Sequence, residues 1–232
     1  MKQLLILGMA MALFSSMACA YPTLFGPTGT GIQPDATVAS GIDAAIDYYD
    51  SEGDATIPVR VLFGTGAGFE VGANYTSLSH ANSWNVNAKY VTPLALAGAQ
   101  LAVGGQYSSL DYDDITVFTA YLVGDIPVGE TAKFSLGVNW SSFTNGPDTD
   151  AFRFFAGFNA TIAEKVGVVA DLQTQNQSLE SDMLYSVAVR YAFTPNISGQ
   201  LGYTDAWGAV PMLGTHEGNL FAGVNFTFNT TE

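Results

Sequence analysis

Nine charged residues have the types and spacing to do chemistry together, because each lies on the polar side of an alternating apolar pattern. They are Asp43, Asp47, Arg60, Glu70, Lys89, Lys133, Arg153, Asp171 and Arg190. In three places an acid can lie across from a base on the next segment: Asp43 with Arg60, Glu70 with Lys89 and Asp171 with Arg190. Such cross-strand pairs stabilise by ~0.2–1 kcal/mol each. Two interpretations are open: the pairs neutralise one another and fill a narrow interior, or they line an aqueous path and set its selectivity.

Residue types that serve catalysis or metal binding form no recognisable site. His80 and His216 lie in connecting segments, and no serine near either has the setting of an activated nucleophile. Two separate histidines and the sole cysteine, Cys19, do not make a metal site. The densest acidic group, Asp111 to Asp114, lacks the glycine and glutamate spacing of a calcium loop. We therefore predict no enzyme activity, no cofactor and no metal.

Composition narrows the class of protein. The chain is 48% hydrophobic and only 12% charged, about half the ~25% charged content of soluble domains. No long apolar run follows the N-terminal segment, so the apolar residues are spread through the chain, as in a membrane barrel. With 7 Lys and Arg and a net charge of -14, the chain cannot assemble a basic patch, which excludes a nucleic-acid partner.

The clearest elements are two alternating runs between Phe69 and Tyr90, joined by a polar turn. Side chains alternate between the two faces of a strand, so these runs predict a hairpin with one apolar and one polar face. If Phe69 pairs with Tyr90, Tyr75 pairs with Trp84, and aromatic rings close both ends of the apolar face. Such a face suits a sheet in contact with lipid.

The same alternation returns along the rest of the chain and predicts about twelve strands. We place them at 41–49, 55–64, 68–77, 83–92, 99–109, 114–123, 131–142, 150–161, 165–175, 183–193, 196–204 and 218–228. Most approach the ~9–11 residues of a tilted transmembrane strand. In the sixth strand, apolar residues fall on both faces, so the sequence does not decide which face points to the lipid. The predicted fold is an all-β, closed, antiparallel up-and-down transmembrane β-barrel.

The connections alternate between short turns and longer, acidic loops. Short turns face the periplasm in such barrels, which predicts that both termini are periplasmic. The acidic residues then form an extracellular rim: Asp50, Glu52, Asp54, Asp111, Asp113, Asp114, Asp148, Glu180 and Asp182. This rim is either a solvated surface or a means of concentrating cations. The longest loop is oddly apolar, with Trp207, Met212 and Leu213, and either packs over the rim or forms a constriction.

Aromatic residues on the apolar face sort into two belts, at the depth of the lipid headgroups. The outer belt is Tyr48, Tyr75, Trp84, Tyr107, Trp140, Phe152, Tyr185 and Tyr203; the inner belt is Phe63, Phe69, Tyr90, Tyr121, Phe134, Tyr191, Phe226 and Phe228. The alternative is a soluble β-sandwich whose aromatics fill a core, but this leaves the scarcity of charge on the polar face unexplained.

The chain divides into three parts. Residues 1–20 have the positive start, apolar core and Ala18-Cys19-Ala20 cleavage site of a secretory signal peptide. A lipoprotein acylated at Cys19 is the lesser alternative, because Ser16 stands where leucine is usual. Residues 21–40 are a Pro- and Gly-rich extended leader, assigned to the periplasm, although the sequence also allows it to enter the barrel. Residues 41–232 form the barrel.

The last strand, Gly223 to Phe228, has a glycine followed by two alternating aromatics. It resembles the assembly signal of small bacterial outer-membrane β-barrels of the porin-like kind, and the whole mature chain resembles them in architecture. Two departures are Phe221, where a polar residue is usual, and the extension to Glu232. The resemblance implies a Gram-negative outer membrane, contact with its lipids and recognition by its assembly machinery.

Three functions follow for such a barrel. The first is a narrow porin-like channel for ions or small polar solutes. The second is a closed structural or surface-interaction barrel that acts through its acidic extracellular loops. The third is an outer-membrane hydrolase, which the isolated histidines disfavour. The oligomeric state is not predicted.

Overall fold

The structure is a computed structural model that describes residues 21–23, 27, 29, 33–51, 54–65, 68–77, 82–96, 98–111, 115–145, 150–174, 183–205 and 219–228. Its strands are β1 (Ser40–Ser51), β2 (Asp54–Thr65), β3 (Phe69–Ser77), β4 (Asn82–Leu96), β5 (Ala99–Leu110), β6 (Ile115–Val128), β7 (Ala132–Thr144), β8 (Ala151–Ala163), β9 (Val166–Gln173), β10 (Leu184–Thr194), β11 (Ile197–Thr204) and β12 (Asn219–Phe228). Each strand pairs antiparallel with its chain neighbours, and β1 pairs with β12 to close the barrel. The predicted fold class and strand number are confirmed, and a sandwich is excluded. Within these ranges, no helix has the length and apolar character needed to cross a bilayer.

The alternation of the sequence becomes an inner and an outer face. On β4, the Val86 side chain is 47% exposed on the outside, whereas its neighbours Asn85 and Asn87 are each 5% exposed and point inward. Many large apolar side chains are exposed on the outer face, including Phe154 and Leu201. The barrel is therefore apolar outside and polar inside, the reverse of a soluble protein.

Short turns close one end of the barrel. Gly98 and Gly129 have φ of 85° and 66°, the left-handed region that glycine enters without a steric penalty. We call this end the short-turn rim and the opposite end the long-loop rim. Ile42 near the start of β1 pairs with Phe228 at the end of β12, so both ends of the sheet meet at the short-turn rim.

The register confirms one of the three predicted acid–base pairs and contradicts two. Glu70 lies directly opposite Lys89. Asp43 instead lies opposite Leu62, and Asp171 lies opposite Ser186. Both errors are shifts by an even number of residues. Such a shift leaves every side chain on the same face, so the alternation could not detect it.

The prediction that Tyr121 belongs to the inner aromatic belt is wrong, because β6 runs in the other phase. The Tyr121 ring is 7% exposed and points inward, with Val123 and Asp125 in the same phase. It lies opposite Gly104, where a Cβ atom would collide with the ring. The missing side chain of this glycine gives the tyrosine its space inside the barrel.

The assignment of the leader to the periplasm is also wrong for its described residues. Tyr21, Gln33, Asp35, Ala36 and Ala39 are at most 3% exposed and contact the inner wall. Ala36 packs in one cluster with β-strand residues, among them Tyr121 and Phe155. The leader therefore lies inside the barrel, which is the other position the sequence allowed. The signal segment, residues 1–20, lies outside the described residues.

The outer face generates a first prediction. Val86 lies on the outer face between Trp84 and Tyr90, so Val86→Arg should place a charge in the hydrocarbon and destabilise folding by about 2–4 kcal/mol. Urea titration of protein folded into phospholipid vesicles measures this. Val86→Leu, which keeps the same outward position apolar, is the matched control and should change the stability little. An equal effect of the two substitutions would contradict the lipid-facing assignment.

Candidate functional site

The inner wall carries all nine charged residues predicted to lie there. Seven of their side chains are buried, and Lys133 and Arg190 are partly buried. The structure adds two acids that sequence reasoning missed. Asp125 was missed because the predicted sixth strand ended at residue 123, whereas β6 continues to Val128, and Asp35 was missed because it belongs to the leader. The described wall thus holds five acids and five bases and is electrically balanced without the leader.

One group of charges surrounds Lys133 near the short-turn rim. Its ammonium donates to Asp35 Oδ2 at 2.6 Å and to Asp125 Oδ2 at 2.7 Å. Ser135 donates to the other oxygen of Asp125 at 2.7 Å. Charge-assisted hydrogen bonds of this length are among the stronger ones in proteins. Lys133 therefore joins the leader to the wall.

The carboxylate of Asp35 is stabilised in its charged form. Burial alone would raise the pKa of Asp35, but the ammonium groups of Lys133 and Lys89, with hydrogen bonds from Lys133 and Thr37, hold the pKa below its ordinary value. Asp35 is therefore ionised at neutral pH.

The confirmed pair of Glu70 and Lys89 lies beside this group. The Lys89 ammonium is 3.5 Å from Glu70 Oε1, and both side chains are fully buried. Glu70 Oε2 accepts a hydrogen bond from the backbone N–H of Ala39 at 2.8 Å. The pair therefore also fixes the point where the leader enters the barrel.

A second group lies on the other side of the interior. Arg60 forms an ion pair with Asp47 in place of the predicted partner Asp43. Gln200 donates to Asp47 Oδ1 at 2.8 Å. These contacts link β1, β2 and β11 through side chains.

Arg190 belongs to this side and holds the leader. Its guanidinium donates to the carbonyl oxygen of Gly29 at 3.3 and 3.4 Å, and its central carbon lies 4.5 Å from the centre of the Tyr21 ring. Burial raises the pKa of the Tyr21 hydroxyl to about 12, against the opposing effect of Arg60 and Arg190. Tyr21 is therefore a neutral ring beneath a cation.

Asp43 is a wall acid that accepts its described hydrogen bonds from neutral side chains. It is fully buried, and Oδ1 accepts hydrogen bonds from Thr227 Oγ1 and from Asn225 Nδ2, the latter at 3.3 Å. Its described partners are all neutral, because Arg60 pairs with Asp47 instead.

Two further charged residues, Arg153 and Asp171, are buried elsewhere on the inner wall. Gln173 accepts from Gln33 at 3.0 Å and from Asn139 at 3.1 Å.

The remaining predicted residues are only partly described. The aromatic residues Tyr75, Trp84, Tyr90, Trp140, Tyr185, Tyr191, Phe226 and Phe228 are all exposed on the outer face. Asp50 and Asp111 are exposed at the long-loop rim, and Asp54 begins β2 there. The other predicted rim and loop residues lie outside the described residues: Glu52, Asp113, Asp114, Asp148, Glu180, Asp182, Trp207, Met212 and Leu213. Among described side chains, no three or more His, Cys, Asp or Glu are arranged to hold a metal ion.

Comparison with known proteins identifies the fold. No protein-family model matches the sequence, and no curated protein matches it. Among solved structures, the KdgM porin has a TM-score of 0.63 and 13% identity, over 80% of this chain and 99% of that one. The NanC porin has a TM-score of 0.62 and 14% identity, over 81% and 100%. Outer membrane phospholipase A from Escherichia coli has a TM-score of 0.55 and 12% identity, over 84% and 93%. The chain therefore has the fold of porin-like outer-membrane barrels, which an enzyme also adopts.

The Glu70–Lys89 pair gives a second prediction. Lys89→Glu should place two carboxylates together in a buried position and lower the free energy of unfolding by about 3–5 kcal/mol. The exchange variant Glu70→Lys/Lys89→Glu should recover part of this, because opposite charges face each other again. The Ala39 N–H loses its carboxylate acceptor, so recovery should be incomplete. Urea unfolding in vesicles measures both variants, and no recovery on exchange would contradict a direct pairing.

The Asp35–Lys133 contact gives a third prediction, on pH. Because the folded pKa of Asp35 is lowered, its stabilising contribution is present above the unfolded pKa of ~3.9 and is lost as the pH falls through the folded pKa. The stability difference between the wild type and Asp35→Asn should be constant from about pH 5 to 8 and shrink below about pH 4. Urea midpoints across this range measure it. A difference that disappears already at pH 6 would contradict the ion pair.

Proposed function

We propose that this protein is an outer-membrane β-barrel that acts as a narrow porin-like channel for ions or small polar solutes. The observation that carries the proposal is the inner wall: apart from Asp50 at the long-loop rim, the described charged side chains within the strands point inward, whereas the outer face is apolar. Rings of charged side chains are a common means by which pores select ions. The fold similarity to KdgM and NanC supports a location in the outer membrane. Because short turns face the periplasm in such barrels, the proposal places both ends of the sheet at the periplasmic side.

The balance of charge suggests the kind of solute. One KdgM porin structure is a complex with disordered oligogalacturonate, a polyanion. The wall of the present barrel has equal numbers of described acids and bases, so it offers a polyanion no net attraction. Small ions and uncharged polar solutes are better suited to a balanced, narrow interior.

A closed barrel that acts through its acidic loops is the second candidate. The position of the leader inside the barrel favours it, because the leader takes up space that a solute would need. An outer-membrane hydrolase remains the least supported function. Phospholipase A shares the fold, but both histidines of this chain lie outside the described residues, so the absence of enzyme activity stays a prediction.

Conductance across a planar lipid bilayer tests the channel. Purified, refolded protein should give discrete current steps whose size rises with salt concentration. Heat-modifiable gel mobility serves as the control for folding. Folded protein that gives no current, whether the leader residues are present or deleted, would favour the closed barrel.

Selectivity gives a fourth prediction. Asp43 is a buried wall acid whose described partners are neutral, so Asp43→Asn should shift the reversal potential in a salt gradient towards anions. Arg153→Gln, which removes a base from the opposite part of the wall, should shift it towards cations. Asp50→Asn, at the exposed rim, is the control and should have a smaller effect because solvent screens it. Identical reversal potentials for all variants would show that the wall charges do not line the path.

A further inference from the structure

The described residues of the leader lie inside the barrel and contact its wall at widely separated strands. We propose that this leader is a plug that closes the channel and must withdraw from the interior for solutes to pass. The proposal rests on the channel function proposed above. It concerns the described leader residues, 21–23, 27, 29 and 33–39.

The leader crosses the full width of the interior. The Ala39 N–H binds Glu70 on β3, and the Gln33 side chain binds Gln173 on β9. In the closed order of twelve strands, β3 and β9 are six apart and therefore lie on opposite sides. The six peptide steps from residue 33 to residue 39 span at most roughly 20 Å when extended. A chain that contacts both walls within this length runs across the lumen.

The leader also occupies most of the cross-section. Twelve strands spaced ~4.8 Å apart and tilted by ~40° give a barrel on the order of 24 Å between opposite backbones. A segment midway between the walls is then roughly 12 Å from each, close to the ~10 Å at which packed sheets fill the space between them. The leader is wider than one extended strand, because it folds back: Gly29 bridges to Pro34, and the Gly29 N–H binds the Tyr21 carbonyl at 3.1 Å.

The contacts that hold the leader are mainly polar, so water can replace them when the leader leaves the barrel. Lys133 holds Asp35, Arg190 holds the Gly29 carbonyl, and Gln173 holds Gln33. Water can replace each of these partners once the interior is hydrated. Lys133 would keep Asp125 as its counter-ion, at 2.7 Å. Withdrawal therefore leaves a balanced wall and no isolated charge at this position.

The connectivity permits withdrawal as well. The leader joins the barrel only at Ser40, at the short-turn rim. Cleavage of the predicted signal peptide after Ala20 would leave its other end free. A segment with one tether and one free end can leave the interior without disturbing any strand pair.

The test compares the mature protein with a variant that lacks residues 21–38, in planar bilayers at equal salt. We expect the deletion to raise the conductance or open time several-fold. A second variant, Gln33→Cys/Gln173→Cys, allows the plug to be fixed with a reversible bis-methanethiosulfonate linker, since these side chains meet and the mature chain has no other cysteine. Linking should suppress the current, and reductant should restore it.

The outcomes separate the plug from the channel. Equal currents from the mature, deleted and linked proteins would overturn the plug and leave the channel intact. No current from any folded variant would overturn the channel.

The rate of thiol modification inside the barrel is a second test, which needs no current measurement and uses several variants. Gln173→Cys should react with a water-soluble thiol reagent faster when the leader is deleted, or when Asp35→Asn and Gln33→Ala weaken its hold. The exposed rim variant Asp50→Cys is the control and should react at the same rate in every background. Unchanged rates at position 173 in all backgrounds would overturn the plug.

Discussion

The closure of the sheet by pairing between β1 and β12 is the constraint on which the rest of the structure depends. In a bilayer no water is available to satisfy a free strand edge, so a sheet that crosses it must pair every strand on both sides. The number of strands then determines the diameter of the barrel, and the diameter determines how much space the barrel encloses. Eight strands can fill their interior with their own side chains, whereas sixteen leave an open channel. A twelve-strand barrel lies between these cases, and here a segment of the same chain enters the remaining space.

The distribution of charge follows from the same constraint. A base on the lipid side costs about 2–4 kcal/mol at mid-depth, so the bases of the strands point inward. Inside, each needs a partner, and the wall supplies as many described acids as bases. Lys133 takes two carboxylates, one from the wall and one from the leader. The wall is therefore balanced without the leader, which lets the leader be an added ligand of the barrel rather than a part of its framework.

The fold tolerates great variation in sequence because it depends on a pattern. KdgM and NanC superimpose over four-fifths of this chain at 13% and 14% identity. What the barrel requires is an apolar residue at every second position and turns of suitable length, which many sequences supply. The residues of the inner face can differ between such barrels, so proteins that share this fold can differ in function.

The sequence by itself determined the features that depend on local alternation. It predicted twelve strands, the inward direction of the nine charged residues, and the Glu70–Lys89 register, where aromatic residues and charges agree on one pairing. It could not determine the partners of Asp43 or Asp171, because a shift by two residues keeps the same faces. It misplaced Tyr121, since apolar residues occupy both faces of β6 and only the space over Gly104 selects the phase. It left the leader undecided, because its contacts with Lys133, Gln173 and Arg190 exist only after distant strands close into a ring. Those residues are up to 161 positions away along the chain, so only the tertiary structure could bring them to the leader.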